Sequence, residues 1–222
     1  MADLITGLRP DRVRANLERV RGEIAAAGRD PGDVEILAAV KYLPADELGA
    51  LAEAGVRLVG ENRAQELVAK SEAHPGRFTW DFIGHLQSRK VATLVPRVRY
   101  IHSVASDSAL EQLRRHGTDS TEVLVEVNVA GDPGKSGIAP AELPAFLERS
   151  PVTVAGLMTM PPLAANPEGS RPHFAALREL ADRHGLPELS MGTSQDYPVA
   201  VQEGATIVRL GTILYAENPQ AS

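Results

Sequence analysis

The sequence of 222 residues contains no cysteine. This absence excludes disulfide bonds and thiolate metal sites, and it is compatible with a reducing compartment. The six histidines, at positions 74, 85, 102, 116, 173 and 184, include no pair at the spacing typical of metal ligands. We therefore expect no metal site.

Excess positive charge and long apolar segments are also lacking. The formal net charge is −6, which argues against a general electrostatic attachment to nucleic acid. No apolar run is long enough to span a membrane, and residues 1–6 have neither the basic region nor the apolar region of a secretory signal. We expect a cytoplasmic protein with no nucleic-acid or membrane partner.

What the sequence does contain is a regular alternation of short apolar runs and amphipathic segments. Residues 10–27 predict a first helix, because Val13, Leu17, Val20 and Ile24 recur at three- and four-residue spacing. The predicted strands then cover residues 35–40, 57–62, 79–85, 98–104, 122–129, 152–160, 186–192 and 206–210. The predicted helices between and after them cover residues 46–54, 63–73, 88–94, 106–116, 140–149, 170–184, 195–203 and 212–216.

Eight strand and helix units of this kind predict the fold. Most of the strands are continuous apolar runs, which is typical of strands covered on both faces. We therefore predict an α/β protein, a single (β/α)8 TIM barrel with an extra N-terminal helix, formed by residues 1–222 as one domain. A doubly wound open sheet is the alternative. It usually has fewer strands, and no Gly-x-Gly-x-x-Gly follows the first strand here.

Lys41 ends the first apolar run, where an unpaired ammonium group would be costly to bury. A lysine that is desolvated or close to other cations has a lowered pKa, and its neutral amine can attack an aldehyde to form a Schiff base. The alternative is a lysine whose side chain extends from the strand end to solvent, which is the more frequent situation.

Polar residues stand at the carboxyl ends of the other predicted strands, where barrel active sites lie. These ends carry Asn62, His85, Ser103, Asn128 and the segments 158–160, 192–194 and 209–212. Loops are polar in any case, so this pattern has a simple alternative explanation.

Two of these segments suggest a phosphate site. Gly192-Thr193-Ser194 and Gly211-Thr212 each precede a predicted helix, so they could cap that helix or hold an anion there. Arg209 should point into the same site, because side chains alternate along a strand; its alternative role is a buried ion pair. An amine at the first strand and a phosphate site at the last two suggest a phosphorylated aldehyde, and pyridoxal 5'-phosphate fits.

Several longer segments make a family resemblance specific. They are Ala-Val-Lys at 39–41, Gly-Glu-Asn-Arg-Ala-Gln-Glu at 60–66, Trp-Asp-Phe-Ile-Gly-His-Leu-Gln at 80–87, Ile-His-Ser-Val at 101–104, Lys-Ser-Gly at 135–137, Gly-Leu-Met-Thr-Met at 156–160, Leu-Ser-Met-Gly at 189–192 and Val-Arg-Leu-Gly-Thr at 208–212. With these segments the sequence resembles, over nearly its whole length, the pyridoxal-phosphate homeostasis protein family, single-domain relatives of the alanine racemase barrel.

The resemblance implies a cofactor site and a function. It implies that Lys41 holds pyridoxal 5'-phosphate as an internal aldimine, that Arg209 faces the pyridine nitrogen and that Asn62 lines the pocket. It implies that the phosphate is bound by Ser194, Gly211 and Thr212. The expected function is intracellular vitamin B6 homeostasis and cofactor delivery, with apo-forms of pyridoxal-phosphate enzymes as partners and a monomeric state.

The sequence departs from the family pattern at two positions. Thr193 stands where the family often has methionine, and Ala205 stands where it often has serine. Neither position carries the aldimine. The second departure removes a hydroxyl group and weakens the detailed transfer of roles at that helix end.

We expect a carrier without catalytic residues. Arg209 can only donate hydrogen bonds, so the pyridine nitrogen would stay unprotonated and the ring would be a weaker electron sink. Racemases of similar fold use a second base from a separate C-terminal domain, and this chain continues for only ten residues after Thr212. A small racemase or another amino-acid enzyme is the alternative.

Three remaining features have structural interpretations. Residues 131–136 resemble a Walker A loop, but residue 129 is Val rather than Gly and no helix is predicted from Lys135, so we predict a strand-to-helix loop. His85 and His102 fall at strand ends and could reach the pocket. We interpret both as structural histidines.

Overall fold

The computed structural model describes residues 4–216, in which eight parallel strands form a closed barrel. The strands are β1 Glu35–Ala39, β2 Leu58–Glu61, β3 Thr79–Phe82, β4 Tyr100–Val104, β5 Glu122–Glu126, β6 Thr153–Met158, β7 Glu188–Thr193 and β8 Ile207–Leu210. Each strand pairs with the next, and β8 pairs with β1 from Glu35 opposite Ile207 to Ala38 opposite Leu210. The predicted (β/α)8 barrel is confirmed, and the open-sheet alternative is wrong.

Helices surround the barrel and one more precedes it. They are α1 Pro10–Ala26, α2 Leu48–Glu53, α3 Ala64–Ala73, α4 Val91–Leu94, α5 Asp107–His116, α6 Leu143–Arg149, α7 Arg171–His184, α8 Tyr197–Gln202 and α9 Thr212–Tyr215. The extra helix α1 begins with proline at its first position and buries its four predicted apolar residues. It packs against α2, which follows the first strand, and against α9, which follows the last strand. The extra helix therefore covers the place where the barrel closes.

The structure shortens several predicted elements. Four predicted helices begin with a 3-10 turn before the α-helix, at Ala45–Glu47, Ser88–Lys90, Pro140–Glu142 and Pro167–Ser170. The predicted third and fifth strands continue past the last ladder residues Phe82 and Glu126. The next residues, Ile83 and Val127, each keep one backbone hydrogen bond to the neighbouring strand, at the carbonyl oxygens of Glu61 and Met158, but the regular strand ends before them. Pattern alone therefore overextends a strand by a few residues.

Apolar side chains fill two layers. The larger cluster lies between the strands and the helices, and it includes the buried face of α1. A smaller cluster is drawn from the strands and includes Leu37, Leu124, Met158 and Ile207. Because side chains alternate along β8, Arg209 shares a strand face with Ile207. This register places a cation among the residues that fill the barrel.

The segment between β5 and α6 is a loop, as predicted. The Lys135 N–H donates to the Asp132 carbonyl oxygen, and the Ser136 hydroxyl donates to Glu126 Oε1 at 2.5 Å. The next helical turn begins at Pro140. The resemblance of residues 131–136 to a nucleotide-binding loop is therefore superficial.

Among residues 4–216, none of the helices has the length and apolarity needed to cross a membrane. The same residues contain no group of three His, Asp or Glu side chains arranged to hold a metal ion.

Candidate functional site

A cavity of about 320 Å³ opens at the carboxyl ends of the strands. All six residues that the sequence predicted as cofactor contacts line it, namely Lys41, Asn62, Ser194, Arg209, Gly211 and Thr212. They stand at or just beyond the ends of β1, β2, β7 and β8. Because β8 closes onto β1, residues more than 150 positions apart in the sequence lie around one cavity.

Three other polar strand ends do not line this cavity. The Ser103 hydroxyl donates to the Gly84 carbonyl oxygen at 2.5 Å, and Asn128 Nδ2 donates to the Asp132 carbonyl oxygen at 2.8 Å. His85 lines a separate, smaller cleft. The polarity of Asn128 and His85 has the simple loop explanation, whereas Ser103 is a buried residue of β4 whose hydroxyl bonds within the barrel.

Lys41 lies two residues past the end of β1, and its side chain is exposed. Its Nζ lies 4.9 Å from the centre of the Tyr42 ring. The interpretation of a lysine that extends to solvent therefore describes its exposure correctly, and the interpretation of a desolvated lysine does not. Lys41 nevertheless lines the cavity, where a ligand can reach its amine.

A buried ion pair fixes the backbone beside Lys41. Lys70 Nζ lies 2.5 Å from Glu61 Oε2, and both side chains are almost completely buried. Lys70 Nζ also donates to the Val40 carbonyl oxygen at 2.9 Å, while Glu61 Oε1 accepts from the Asn62 N–H at 2.6 Å. The pair thus connects the residue before Lys41 with the residue at the end of β2.

Asn62 lines the cavity and carries a buried, unsatisfied acceptor. Its Oδ1 is buried and has no hydrogen-bond partner in the part of the chain that the structure describes. A buried acceptor without a partner is unfavourable by about 1–3 kcal/mol. Asn62 thus lines the cavity as a residue, while its Oδ1 is a buried acceptor that no group of the described chain satisfies.

The Arg209 guanidinium group is held by a residue of β7 and by the two residues that follow β6. Its Nη1 donates to the Ser190 carbonyl oxygen at 2.7 Å and to Ser190 Oγ at 2.6 Å. Its Nη2 donates to the Thr159 carbonyl oxygen at 2.9 Å and to Met160 Sδ. Within residues 4–216 no carboxylate forms an ion pair with Arg209, so the ion-pair alternative is wrong. Its Nε has no partner among those residues.

Burial lowers the pKa of Arg209 to about 10, although Asp196 and Glu126 favour its charge. The guanidinium group is therefore still protonated at neutral pH. A buried cation with one free N–H at the edge of a cavity is an effective donor to a neutral nitrogen or to an anion.

The Ser194 hydroxyl joins the two glycine-containing segments. Ser194 Oγ accepts from the Gly211 N–H at 3.2 Å, so its own hydrogen remains available to a ligand. Gly192 has φ +89°, and a Cβ there would lie 2.6 Å from Ala200 Cβ. Only glycine allows this turn with α8 so close.

Helix capping does not explain these hydroxyl groups. The residue that caps the start of α8 is Asp196, and the one that caps α9 is Gly211; neither forms a side-chain capping bond. The hydroxyl groups of Ser194 and Thr212 are thus not used at the starts of their helices.

The sequence did not predict several other lining residues. These are Ile5, Ala39, Tyr42, Ile83, Gln195 and Tyr215. Ile5 reaches the cavity because its N–H donates to the Tyr42 carbonyl oxygen at 2.9 Å. Tyr215 Oη donates to the Ala39 carbonyl oxygen at 3.2 Å, which connects α9 to the end of β1. Among these six residues, only Tyr42 could have been suspected from the sequence, because it stands next to Lys41.

The charge of the described lining is simple. Two cations, Lys41 and Arg209, line the cavity, and no carboxylate or histidine among residues 4–216 does so. The cavity therefore favours an anionic ligand, and it offers few groups for proton transfer.

Comparison with known proteins shows the family and the fold. The family model described as "Alanine racemase, N-terminal domain" matches residues 8–219. A pyridoxal phosphate homeostasis protein of Aquifex aeolicus is 39% identical, with 93% of this chain and 97% of that protein covered. PipY of Synechococcus elongatus, in a structure with PLP bound, is 32% identical with a TM-score of 0.77, covering 92% of this chain and all of that one.

A more distant structure agrees in fold alone. Alanine racemase of Corynebacterium glutamicum is 18% identical and has a TM-score of 0.74, covering all of this chain and 65% of that one. Family model, sequence relatives and structural neighbours are thus consistent with one another. The chain belongs to the pyridoxal phosphate homeostasis proteins, within the family of the alanine racemase N-terminal domain.

Proposed function

We propose that this protein binds pyridoxal 5'-phosphate in the barrel cavity and takes part in intracellular vitamin B6 homeostasis and cofactor delivery. The observation that carries the proposal is the convergence of an exposed lysine, a buried arginine and two hydroxyl groups with hydrogens to donate on one cavity whose described lining has no carboxylate. Its relative PipY has been solved with PLP bound. We also propose that residues 1–222 form one monomeric domain and that its partners are apo-forms of pyridoxal-phosphate enzymes.

Lys41 is the proposed covalent anchor. Its Nζ would hold the cofactor, whose aldehyde would supply a carbon that an amine can bond with loss of the oxygen as water. The amine is exposed at the cavity, so the cofactor can enter and leave without local unfolding. The Lys70–Glu61 ion pair and the Tyr215 hydroxyl hold the end of β1 in place for this reaction.

Arg209 is the proposed partner of the pyridine nitrogen. Its four Nη hydrogens have acceptors within the protein, which leaves Nε–H to donate into the cavity. A donor that stays protonated keeps the ring nitrogen unprotonated, and the cofactor then withdraws electrons less strongly. This arrangement favours storage of the cofactor over reactions at the α-carbon of an amino acid.

Ser194, Gly211 and Thr212 are the proposed phosphate contacts. The two hydroxyl groups and the backbone between β8 and α9 line the same part of the cavity, next to the turn at Gly192. Hydroxyl and backbone N–H groups bind phosphate oxygens without adding charge.

Removing these hydroxyl groups should weaken cofactor retention. Ser194→Ala and Thr212→Val should each cost about 1–3 kcal/mol of binding free energy, the scale of a hydrogen bond to a charged group. Equilibrium titration by absorbance measures the dissociation constant. Ser71→Ala is the matched control, because it also removes a hydroxyl group, but one that donates a hydrogen bond to the Val68 carbonyl oxygen within α3 and does not line the cavity. Unchanged binding in both site variants would place the phosphate elsewhere.

Reversing the charge of the residue at the ring nitrogen should weaken the binding of pyridoxal phosphate, and the parent protein should have no amino-acid racemase activity to lose. Arg209→Glu removes the donor and should raise the dissociation constant for pyridoxal phosphate about tenfold or more. We expect negligible amino-acid racemisation by the parent protein. Steady turnover on the order of 1 per second or more would instead support the racemase alternative. Circular dichroism of the variant controls for folding.

Cofactor delivery is tested by transfer. The loaded protein, freed of excess ligand, should restore the activity of an apo-enzyme that needs pyridoxal phosphate. Free pyridoxal phosphate at the same concentration is the reference. No restoration by the loaded protein would contradict a delivery role and leave only binding.

A further inference from the structure

A chain of buried hydrogen bonds runs from the cavity across the inside of the barrel. It starts at Arg209, whose Nη1 lies 2.6 Å from Ser190 Oγ. Ser190 Oγ lies 2.8 Å from His102 Nδ1, and His102 Nε2 lies 3.0 Å from Asp81 Oδ2. Ser190, His102 and Asp81 are completely buried, and the functional assignments above use none of them.

Asp81 is the fixed acceptor at the far end of this chain. Arg99 Nε and Nη2 donate to its two oxygens at 3.1 and 2.7 Å, and the Tyr100 N–H donates to Oδ1 at 3.2 Å. Arg99 is held in turn by Glu35, at 2.7 and 2.8 Å. A carboxylate that receives this many donors is ionised and accepts from every neighbour.

The direction of every other bond follows from that end. His102 must donate from Nε2 to Asp81. A neutral imidazole then has an acceptor at Nδ1, so the Ser190 hydroxyl donates to it. The lone pairs of Ser190 Oγ remain free to accept from Arg209. All four groups therefore have complementary roles in one direction.

The protonation states agree with this order. Burial lowers the pKa of His102 more than the neighbouring Asp81 carboxylate raises it, so the imidazole is neutral at neutral pH. Burial opposes the ionisation of Asp81, but the hydrogen bonds from His102 and Arg99 outweigh it and hold its pKa below the ordinary value.

We propose that Ser190 and His102 are positioning residues for the cofactor: they orient the Arg209 guanidinium group so that its Nε–H faces the ring nitrogen. The proposal rests on the proposed cofactor site. Without the Ser190 hydroxyl, one Nη1 hydrogen loses its acceptor, and the guanidinium group can rotate to bond elsewhere. The Asp81 carboxylate on β3 thus influences the cofactor site at β8 without touching it, because the chain of hydrogen bonds fixes the orientation of the Arg209 guanidinium group.

Substitution of Ser190 and His102 tests the proposal on the full-length protein. Ser190→Ala should raise the dissociation constant for pyridoxal phosphate about 3- to 10-fold and shift the absorbance maximum of the bound cofactor, because the hydrogen bond to the ring nitrogen tunes its electronic state. His102→Leu should do the same. His102→Gln keeps a donor and an acceptor, so its values should lie closer to those of the parent.

Ser103→Ala is the matched control. The same hydroxyl group is removed from a buried position in the barrel, but its partner is the Gly84 carbonyl oxygen rather than Arg209. It should leave the dissociation constant and the absorbance maximum unchanged. Parent values in both Ser190→Ala and His102→Leu would overturn the proposal, and if His102→Leu does not fold, Ser190→Ala decides. A parent protein that binds no pyridoxal phosphate would instead overturn the proposed function.

Discussion

Replacing Lys41 by alanine should abolish the absorbance band of the covalently bound cofactor, expected near ~420 nm for a lysine Schiff base. The amine is the proposed attacking group, and it lines the cavity while being exposed. The loss should be complete rather than partial, because no other lysine lines the cavity within residues 4–216. Absorbance of protein mixed with pyridoxal phosphate and then freed of excess ligand measures it.

Two control variants separate the covalent bond from charge and from non-specific reaction. Lys41→Arg keeps the cation but cannot form the Schiff base, so it should lose the band and retain part of the non-covalent binding. Lys135→Ala removes another exposed lysine from a strand-to-helix loop, at a position that does not line the cavity, and should keep the full band. A full band in Lys41→Ala would contradict the assignment.

Breaking the Glu61–Lys70 ion pair should produce the largest loss of stability. Lys70→Met leaves the Glu61 carboxylate buried without its cation, and such a change lowers the free energy of unfolding by about 3–5 kcal/mol. Lys70 also donates to the Val40 carbonyl oxygen, and Glu61 accepts from the Asn62 N–H. Because these bonds fix the backbone beside Lys41 and Asn62, retention of the cofactor should fall as well. Urea unfolding of the cofactor-free protein measures the stability.

The double variant Glu61→Gln with Lys70→Met is the internal control. The introduced glutamine amide would retain an acceptor for the Asn62 N–H without a charge, so the double variant should be more stable than Lys70→Met alone. Arg115→Met, which breaks an exposed ion pair with Glu111 on α5, should leave the unfolding midpoint nearly unchanged. If Lys70→Met is as stable as the parent, the buried pair does not hold the β1 end.

The architecture could be predicted because its signals are local. Each strand is a short apolar run next to a helix signal, and eight such units leave few arrangements other than a closed barrel. The positions of Lys41, Ser194 and Thr212 were predictable for the same reason, since each polar residue lies within two residues of the end of a predicted strand. The barrel rule then placed them at one end without any knowledge of contacts.

The residues that support this site could not be predicted, because their partners are distant in the sequence. Ser190 and His102 are 88 positions apart, and each lies within a mostly buried strand. The alternation pattern indicates that such residues face inward, but it does not identify their partners. Lys70 gave a weak signal, since it lies three residues after Leu67 on the buried face of α3.

The most direct test of the central claim is identification of the residue that carries the cofactor. The protein is loaded with pyridoxal phosphate, reduced with borohydride, digested and analysed by peptide mass spectrometry. We predict that the reduced pyridoxyl phosphate group is found on the peptide containing Lys41, with the other lysine peptides unmodified. Modification of a different lysine, or of none while the protein still binds the cofactor, would contradict the account.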